Sequence, residues 1–214
     1  MVRQVIFGDY RSLQDLGLVL MDGRRIGYPE VKESYVSLDG SDGVIDYTEY
    51  FGQIFYNNRT LELPFAHVVN KIGDLEAYYS EVYKKLHGRK MKIYFSWDTD
   101  FYYIGRINVG DWENDGKIAY VTITCDCEPY RYKKDITEVS VTVSGTKTIT
   151  CSNLQKRVMP TFEAASEMTI TFNNISKTAS GTFTIPGVAF VEGDNNLTIK
   201  GSGTLKIRYQ EKIL

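Results

Sequence analysis

Only one stretch of this chain reads as a helix, Asp74 to Gly88, so the rest must supply strands for that helix to lie on. Leu75, Tyr78, Tyr79, Val82, Tyr83 and Leu86 recur at helical spacing and form one wide apolar face. Asp74 is placed to cap the first free N–H groups, and Gly88 stands where a left-handed stop residue belongs. Lys84, Lys85 and His87 lie at the negative end of the helix dipole, the favourable end for cations. Glu76, Ser80, Glu81 and Lys84 make the opposite face polar. A helix over residues 74–87 that is apolar on one side rests on a surface, and here that surface must be a sheet.

The strands announce themselves by alternation. Val2 to Phe7 opens the chain as a strand, followed by the apolar piece Leu16–Leu20 and an extended segment from Val31 to Leu38. Residues 39–43, Asp-Gly-Ser-Asp-Gly, read as a flexible acidic loop; their spacing lacks the further oxygen ligands and closing Glu of a calcium loop. Between Arg59 and Val68, Leu61, Leu63 and Phe65 face one way and Thr60 and Glu62 the other. Pro64 cannot donate to a ladder, which predicts an edge or a bulge there. After the helix come a strand to Phe95, a turn at Trp97-Asp98-Thr99-Asp100, a strand Phe101–Val109, and the cleanly alternating Lys117–Glu128. Beyond residue 134 the composition shifts to Thr, Ser, Val and Ile, and short strands follow one another. The last are predicted to be Asn196–Lys200 and Thr204–Tyr209, a hairpin turned by Gly201-Ser202-Gly203. The expected fold is mainly β: a β-sandwich or barrel-like domain carrying one helix, residues 1–133, then an antiparallel sandwich, residues 134–214, with a hinge near 130–138.

Totals exclude several function classes. The balance of 25 Lys+Arg against 27 Asp+Glu, a net −2, argues against a dedicated nucleic-acid or membrane-surface binder. No run reaches the ~18 apolar residues a membrane span requires. The N-terminus lacks the long apolar stretch of a signal peptide, so a reducing cytoplasm is the expected place of synthesis. Cys125, Cys127 and Cys151 fit that compartment: the first two share a strand face, are poorly placed to pair, and read as buried apolar residues.

Motifs with chemistry are sparse. Asp98-x-Asp100 resembles a metal-binding pair, but a hairpin turn selects Asp for its own reasons. His67 and His87 are the only histidines, too few beside the three Cys for a metal centre. A Cys–His nucleophile pair conflicts with Cys125 and Cys127 on an apolar strand face, and there is no Gly-x-Ser-x-Gly elbow or phosphate-binding glycine loop. The Asn-x-Ser/Thr matches at Asn58, Asn174 and Asn196 carry no meaning without secretion. The expectation is a non-enzyme with no catalytic, cofactor-binding or metal-ligating residues. Sixteen tyrosines supply side chains suited to contact surfaces.

Several stretches in order resemble the distal tail protein (Dit) family of phages with long, non-contractile tails. They are Gly17-Leu18-Val19-Leu20, Gly43-Val44-Ile45-Asp46, and Tyr56-Asn57-Asn58-Arg59-Thr60-Leu61. Leu86 to Ile93 running into Asp98-Thr99-Asp100, and Tyr102 to Arg106, continue the likeness. Cys125-Asp126-Cys127-Glu128-Pro129-Tyr130 is similar to the family's close of the first domain, and Gly193–Ile199 with Gly201–Leu205 to the end of its galectin-like second domain. The resemblance implies a virion structural protein at the tail tip, a hexameric ring of first domains assembled in the host bacterial cytoplasm. It implies the tail tube protein and the tail-associated hub protein as partners, receptor-binding proteins at the periphery in many relatives, and neither sequence-specific nucleic acid nor membrane insertion. The resemblance leaves no room for the extra arm or sugar-binding inserts that some relatives carry between or within their two domains. The alternative is a carbohydrate-binding module on the galectin-like half, motivated by that fold together with Trp97, Trp112 and the tyrosines; a hydrolase has only scattered carboxylates behind it.

Overall fold

The computed structural model describes residues 3–69 and 74–214. The beginning of the strand expected from Val2 lies outside the described residues. The chain divides into two compact units, Met1–Arg131 and Tyr132–Leu214.

The first unit holds β1 (Val5–Phe7), β2 (Tyr10–Arg11), β3 (Val19–Leu20), β4 (Arg25–Ile26), β5 (Tyr35–Val36), β6 (Ile45–Asp46), β7 (Arg59–Val68), α1 (Leu75–Leu86), β8 (Lys90–Phe95), β9 (Asp98–Asn114) and β10 (Ile118–Cys127). Its sheet runs β2-β1-β8-β9-β10-β7-β3, with β4 also on β7. Period-2 alternation does what it predicts: Leu61, Leu63 and Phe65 of β7 and Ile123, Cys125 and Cys127 of β10 are fully buried. These pack with Val82 and Leu86 of α1 in one core. Gly105 of β9 lies against Cys127; a Cβ there would stand 2.4 Å from the Cys127 Sγ, so only glycine lets the two strands approach.

Pro64 sits opposite Thr122 of β10. Its carbonyl accepts from the Met21 N–H at 2.9 Å, in the turn that separates β3 from β4. The neighbouring ladder is therefore interrupted where Pro64 has no donor to give, as its presence predicts.

The helix buries Leu75, Val82 and Leu86, and Gly88 adopts φ +73° with its N–H on the Ile107 carbonyl at 2.8 Å. The expected Asp74 cap does not form: Asp74 has helical backbone angles and its side chain bonds no N–H of the first turn. An N-cap carboxylate reaches those donors only from an extended backbone. The turn expected at residues 97–100 is also displaced. Phe95 pairs directly with Asp98, leaving Ser96-Trp97 as the turn and Asp98–Asp100 in β9, with a register shift between Tyr94 and Phe95 absorbing the difference.

The second unit begins within β11 (Arg131–Lys133) and continues with β12 (Thr137–Asn153), β13 (Thr161–Phe172), β14 (Ile175–Phe183), β15 (Gly193–Tyr209) and β16 (Lys212–Ile213). Here the expectation of short strands is corrected. One four-stranded antiparallel sheet, β12-β15-β13-β14, carries strands of up to 17 residues, and β12 and β15 pair along their whole length. Gly201-Ser202-Gly203 is not a hairpin turn but the middle of β15.

The sheet folds over on itself at that point. Flat, the stretch from Thr137 to Ser152 would be about 50 Å long at ~3.3 Å per residue. Tyr209, paired with Thr137, nevertheless donates its hydroxyl to the Ser152 carbonyl at 2.6 Å. Gly145 (φ +89°) of β12, Gly203 (φ +129°) of β15 and a register shift between Ala164 and Met168 of β13 line up across the crease. Glycine serves the bend because residues with a Cβ resist positive φ, and at Gly203 a Cβ would also meet Ser166 Oγ at 2.9 Å. The two leaves close on a core that includes Val143, Phe162, Met168, Ile170, Leu197, Ile199, Leu205 and Ile207. A two-layer sandwich thus arises from one continuous ladder.

Candidate functional site

The residues singled out for chemistry do not converge. Asp98 accepts a 2.7 Å bond from Arg131 Nη1, while Asp100 lies exposed. His87 is exposed, and its Nδ1 accepts the Val109 N–H at 3.2 Å. His67 stacks on Tyr78 at 3.8 Å and donates through Nδ1 to the Gly17 carbonyl at 3.0 Å. Burial pushes the Cys127 thiol up to about 12, Cys151 up to about 11, and Cys125 well above its ordinary value, so none of the three is a ready nucleophile. Among the described residues no three His, Cys, Asp or Glu side chains group to hold a metal ion.

Trp112 serves the fold. It stacks on Tyr79 at 4.2 Å and meets Tyr78 edge-on, so helix and sheet are joined by a layer of rings. The hydroxyls of Tyr78 and Tyr83 donate to the carbonyls of Leu16 (2.7 Å) and Gly110 (2.9 Å). Tyr78 titrates far above the usual phenol range because its body is buried. Trp97, at the β8–β9 turn, stacks on Phe95 at 4.7 Å and carries the guanidinium of Arg24 at 5.0 Å.

The remaining feature is the segment between β4 and β7, whose loop-rich stretch from Asp39 to Tyr56 is by its length able to reach a neighbouring molecule. Residues 28–57 form a mostly exposed two-stranded arm. Its stalk is hydrogen-bonded from Asn57 N–H to Glu30 O and from Lys32 N–H to Phe55 O, each 2.8 Å, and β5 pairs with β6 further out. Tyr47, Tyr50, Phe51 and Phe55 contact one another edge-to-face in sequence. With Lys32, Ser34 and Thr48 they line an open, mainly apolar pocket of about 310 Å³. Tyr50 and Phe51 are 72% and 75% exposed. Several contiguous exposed aromatics are unusual on a lone soluble domain and mark a contact surface. The signal was present in sequence: Tyr47, Tyr50, Phe51 and Phe55 crowd together without strand or helix periodicity.

The arm is held at its root by Arg59. This side chain is only 3% exposed, donates from Nε to Gly27 O (2.7 Å) and from Nη1 to Pro129 O (3.3 Å), and lies over the rings of Tyr28 and Tyr103. Burial pulls its pKa down from the ordinary value, and carbonyl and ring partners stand in for a carboxylate. Gly27 is required beside it, since a Cβ there would stand 2.9 Å from Thr60 O.

The arrangement defines a class first: a β-rich chain of antiparallel sheets with a single helix. No protein-family model matches it, and no curated protein matches it by sequence. Its fold is that of the SPP1 Dit (gp 19.1) protein, whose crystal structure is described as a paradigm of the hub adsorption apparatus in phages that infect Gram-positive hosts. The likeness covers 100% of both chains at a TM-score of 0.72 with 16% identity. The resemblance to distal tail proteins that the sequence carries is thus met by a full-length likeness of fold.

Proposed function

We propose that this chain is a structural component of a phage or prophage tail tip, a hub ring that joins the tail tube to the tail-associated protein. The observation that carries the reading is the full-length match in fold to SPP1 Dit, supported by the family-like segments read from the sequence. The ring is hexameric and built by residues 1–133; residues 134–214, the galectin-like part, lie outside it. The protein works in the virion after assembly in the bacterial cytoplasm, and receptor-binding proteins attach at its periphery. It performs no catalysis.

The physical argument for the first part is edge and surface. A ring requires a head-to-tail contact in which one surface meets a different one with a rotation that closes. The first unit offers the exposed aromatic arm. The second presents a polar outer face, with Thr148 beside Thr198, Thr169 beside Thr178, and Arg208 bridging Glu138 (2.6 Å) and Glu163 (3.0 Å). Such self-satisfied polar faces resist edge-to-edge association. Both tryptophans belong to the first unit, which counts against the carbohydrate-binding alternative.

Negative-stain micrographs and light scattering on the full chain test the reading: six-fold rings are expected, and a monomer at all concentrations refutes it. Weighing 1–133 and 134–214 separately then tests the assignment of the ring to the first part, which an oligomeric second half beside a monomeric first half refutes.

A further inference from the structure

The arm differs in charge from the rest of the chain. Residues 28–57 carry Glu30, Glu33, Asp39, Asp42, Asp46 and Glu49 against the single cation Lys32. The arm is therefore net −5, and the remaining residues, with 24 basic and 21 acidic side chains, are net positive. Among the described residues none of the six arm carboxylates forms an ion pair. A surface both aromatic and acidic, held out on a stalk and left unneutralised by its own chain, is matched by a surface that is cationic and carries a free strand edge.

The first unit has such a surface. On the outer face of its sheet Lys90 and Lys92 of β8 are exposed, Arg106 of β9 stands directly across from Lys90, and Arg89 is exposed at the entry to β8. The guanidinium of Arg106 donates to the Gly88 carbonyl at 2.6 Å, which draws it toward Arg89. Two carboxylates adjoin this strip: Glu128, bonded to Lys90 at 2.7 Å, and Asp126, opposite Arg106. Four cations against two carboxylates leave it positive. The strip also borders the end of the β1 ladder: among the described residues β1 pairs with β8 from Ile93 to Phe95 and the Gly8 N–H bonds the Lys92 carbonyl at 2.8 Å, so the open part of this edge is confined to the β8 residues before Lys92.

We infer that the acidic aromatic arm of one copy docks on the Arg89–Lys92/Arg106 strip of the next, and that this is the head-to-tail contact that closes the ring. The inference rests on the ring reading above and names the two surfaces it uses. The two surfaces are different, as a closed heterologous assembly requires. Their opposite charges steer encounter and fix register, while the buried rings supply most of the affinity.

A charge swap tests this with the full chain. Glu33→Lys with Glu49→Lys makes one variant, and Arg89→Glu with Lys92→Glu the other; all four side chains are exposed, so both are expected to keep the wild-type circular dichroism spectrum and melting curve. Each variant alone is expected to sediment as a monomer where wild type assembles, with the assembly constant weakened at least tenfold. Mixed one to one, they are expected to regain the wild-type mass as alternating rings, and the four changes in one chain to do the same. Wild-type assembly is expected to weaken between 0.1 and 0.5 M salt, where the Debye length falls below ~10 Å. If wild type is a ring and the variants assemble unchanged, or if folded variants fail to rescue each other, the docking inference is wrong and the ring reading stands. If wild type is monomeric throughout, both fall.

Discussion

Glu211 is the side chain on which closure of the second unit depends most. It is 4% exposed. One carboxylate oxygen accepts from Lys133 Nζ at 2.6 Å and from the Thr137 hydroxyl, and the other accepts from the Leu154 N–H at 3.0 Å. Those partners come from the start of the unit and from both ends of β12, which meet only because the sheet is creased. Glu211→Ala orphans the Leu154 N–H and the Thr137 hydroxyl proton and leaves the Lys133 ammonium only its 3.2 Å bond to Thr137 Oγ1. Breaking a buried pair costs about 3–5 kcal/mol when the remaining charge stays buried. Lys133 is 38% exposed and rehydrates in part, which lowers the expected loss to about 2–4 kcal/mol. For a unit this small that corresponds to a fall in melting temperature of roughly 10–25 °C. Burial opposes ionisation of Glu211, but the bonds from Lys133 and Thr137 outweigh it and hold its pKa below the ordinary 4.5. Its stabilisation is therefore complete above pH 4.5 and is lost as pH falls through the lower folded value. Because both tryptophans lie in the first unit, tryptophan fluorescence reports that unit, and far-ultraviolet dichroism reports both. The expected result is a dichroism transition at lower urea for Glu211→Ala with the tryptophan transition unmoved, and a shallower acid dependence for Glu211→Gln than for wild type. A Glu211→Ala protein with unchanged dichroism and acid profiles would refute the reasoning.

The helix offers a second test. Leu86 is fully buried, and Leu86→Asp places an unpaired carboxylate in the core of the first unit at a cost of several kcal/mol, comparable to the stability of a whole domain. The tryptophan transition is expected to disappear or the protein to become insoluble, and a soluble variant with the wild-type melt shows the face is not buried. At the crease, Gly203→Val meets both a disfavoured φ and the Ser166 and Met168 side chains, so a loss of about 2–4 kcal/mol from the second unit is expected in urea titrations.

Much of the first unit was legible because its information is local. The apolar face of α1, the alternation of β7 and β10, and the left-handed stop at Gly88 depend on residues a few positions apart, and each forms at or within two residues of where the pattern put it. Pro64 announced a break in its ladder because a missing donor is a property of one residue, wherever the partner strand lies. The glycines at 201 and 203 were misread for the complementary reason. A glycine that permits positive φ serves a two-residue turn or a creased strand equally well, and only the 17-residue partner β12, lying alongside without interruption, decides between them. The same holds for function. The expectation of no catalytic set rests on residue types and spacings that composition and motif display directly, whereas the exposure of Tyr50 and Phe51 and the carbonyl-held burial of Arg59 are set by what the rest of the chain leaves uncovered. Sequence alone determined where the helix lies, where locally alternating strands such as β7 and β10 run, and which of their residues turn inward. Tertiary structure alone decided which strands continue through a bend, which aromatic side chains stay in water, and which charges lack partners, because those outcomes depend on contacts between residues far apart in the chain.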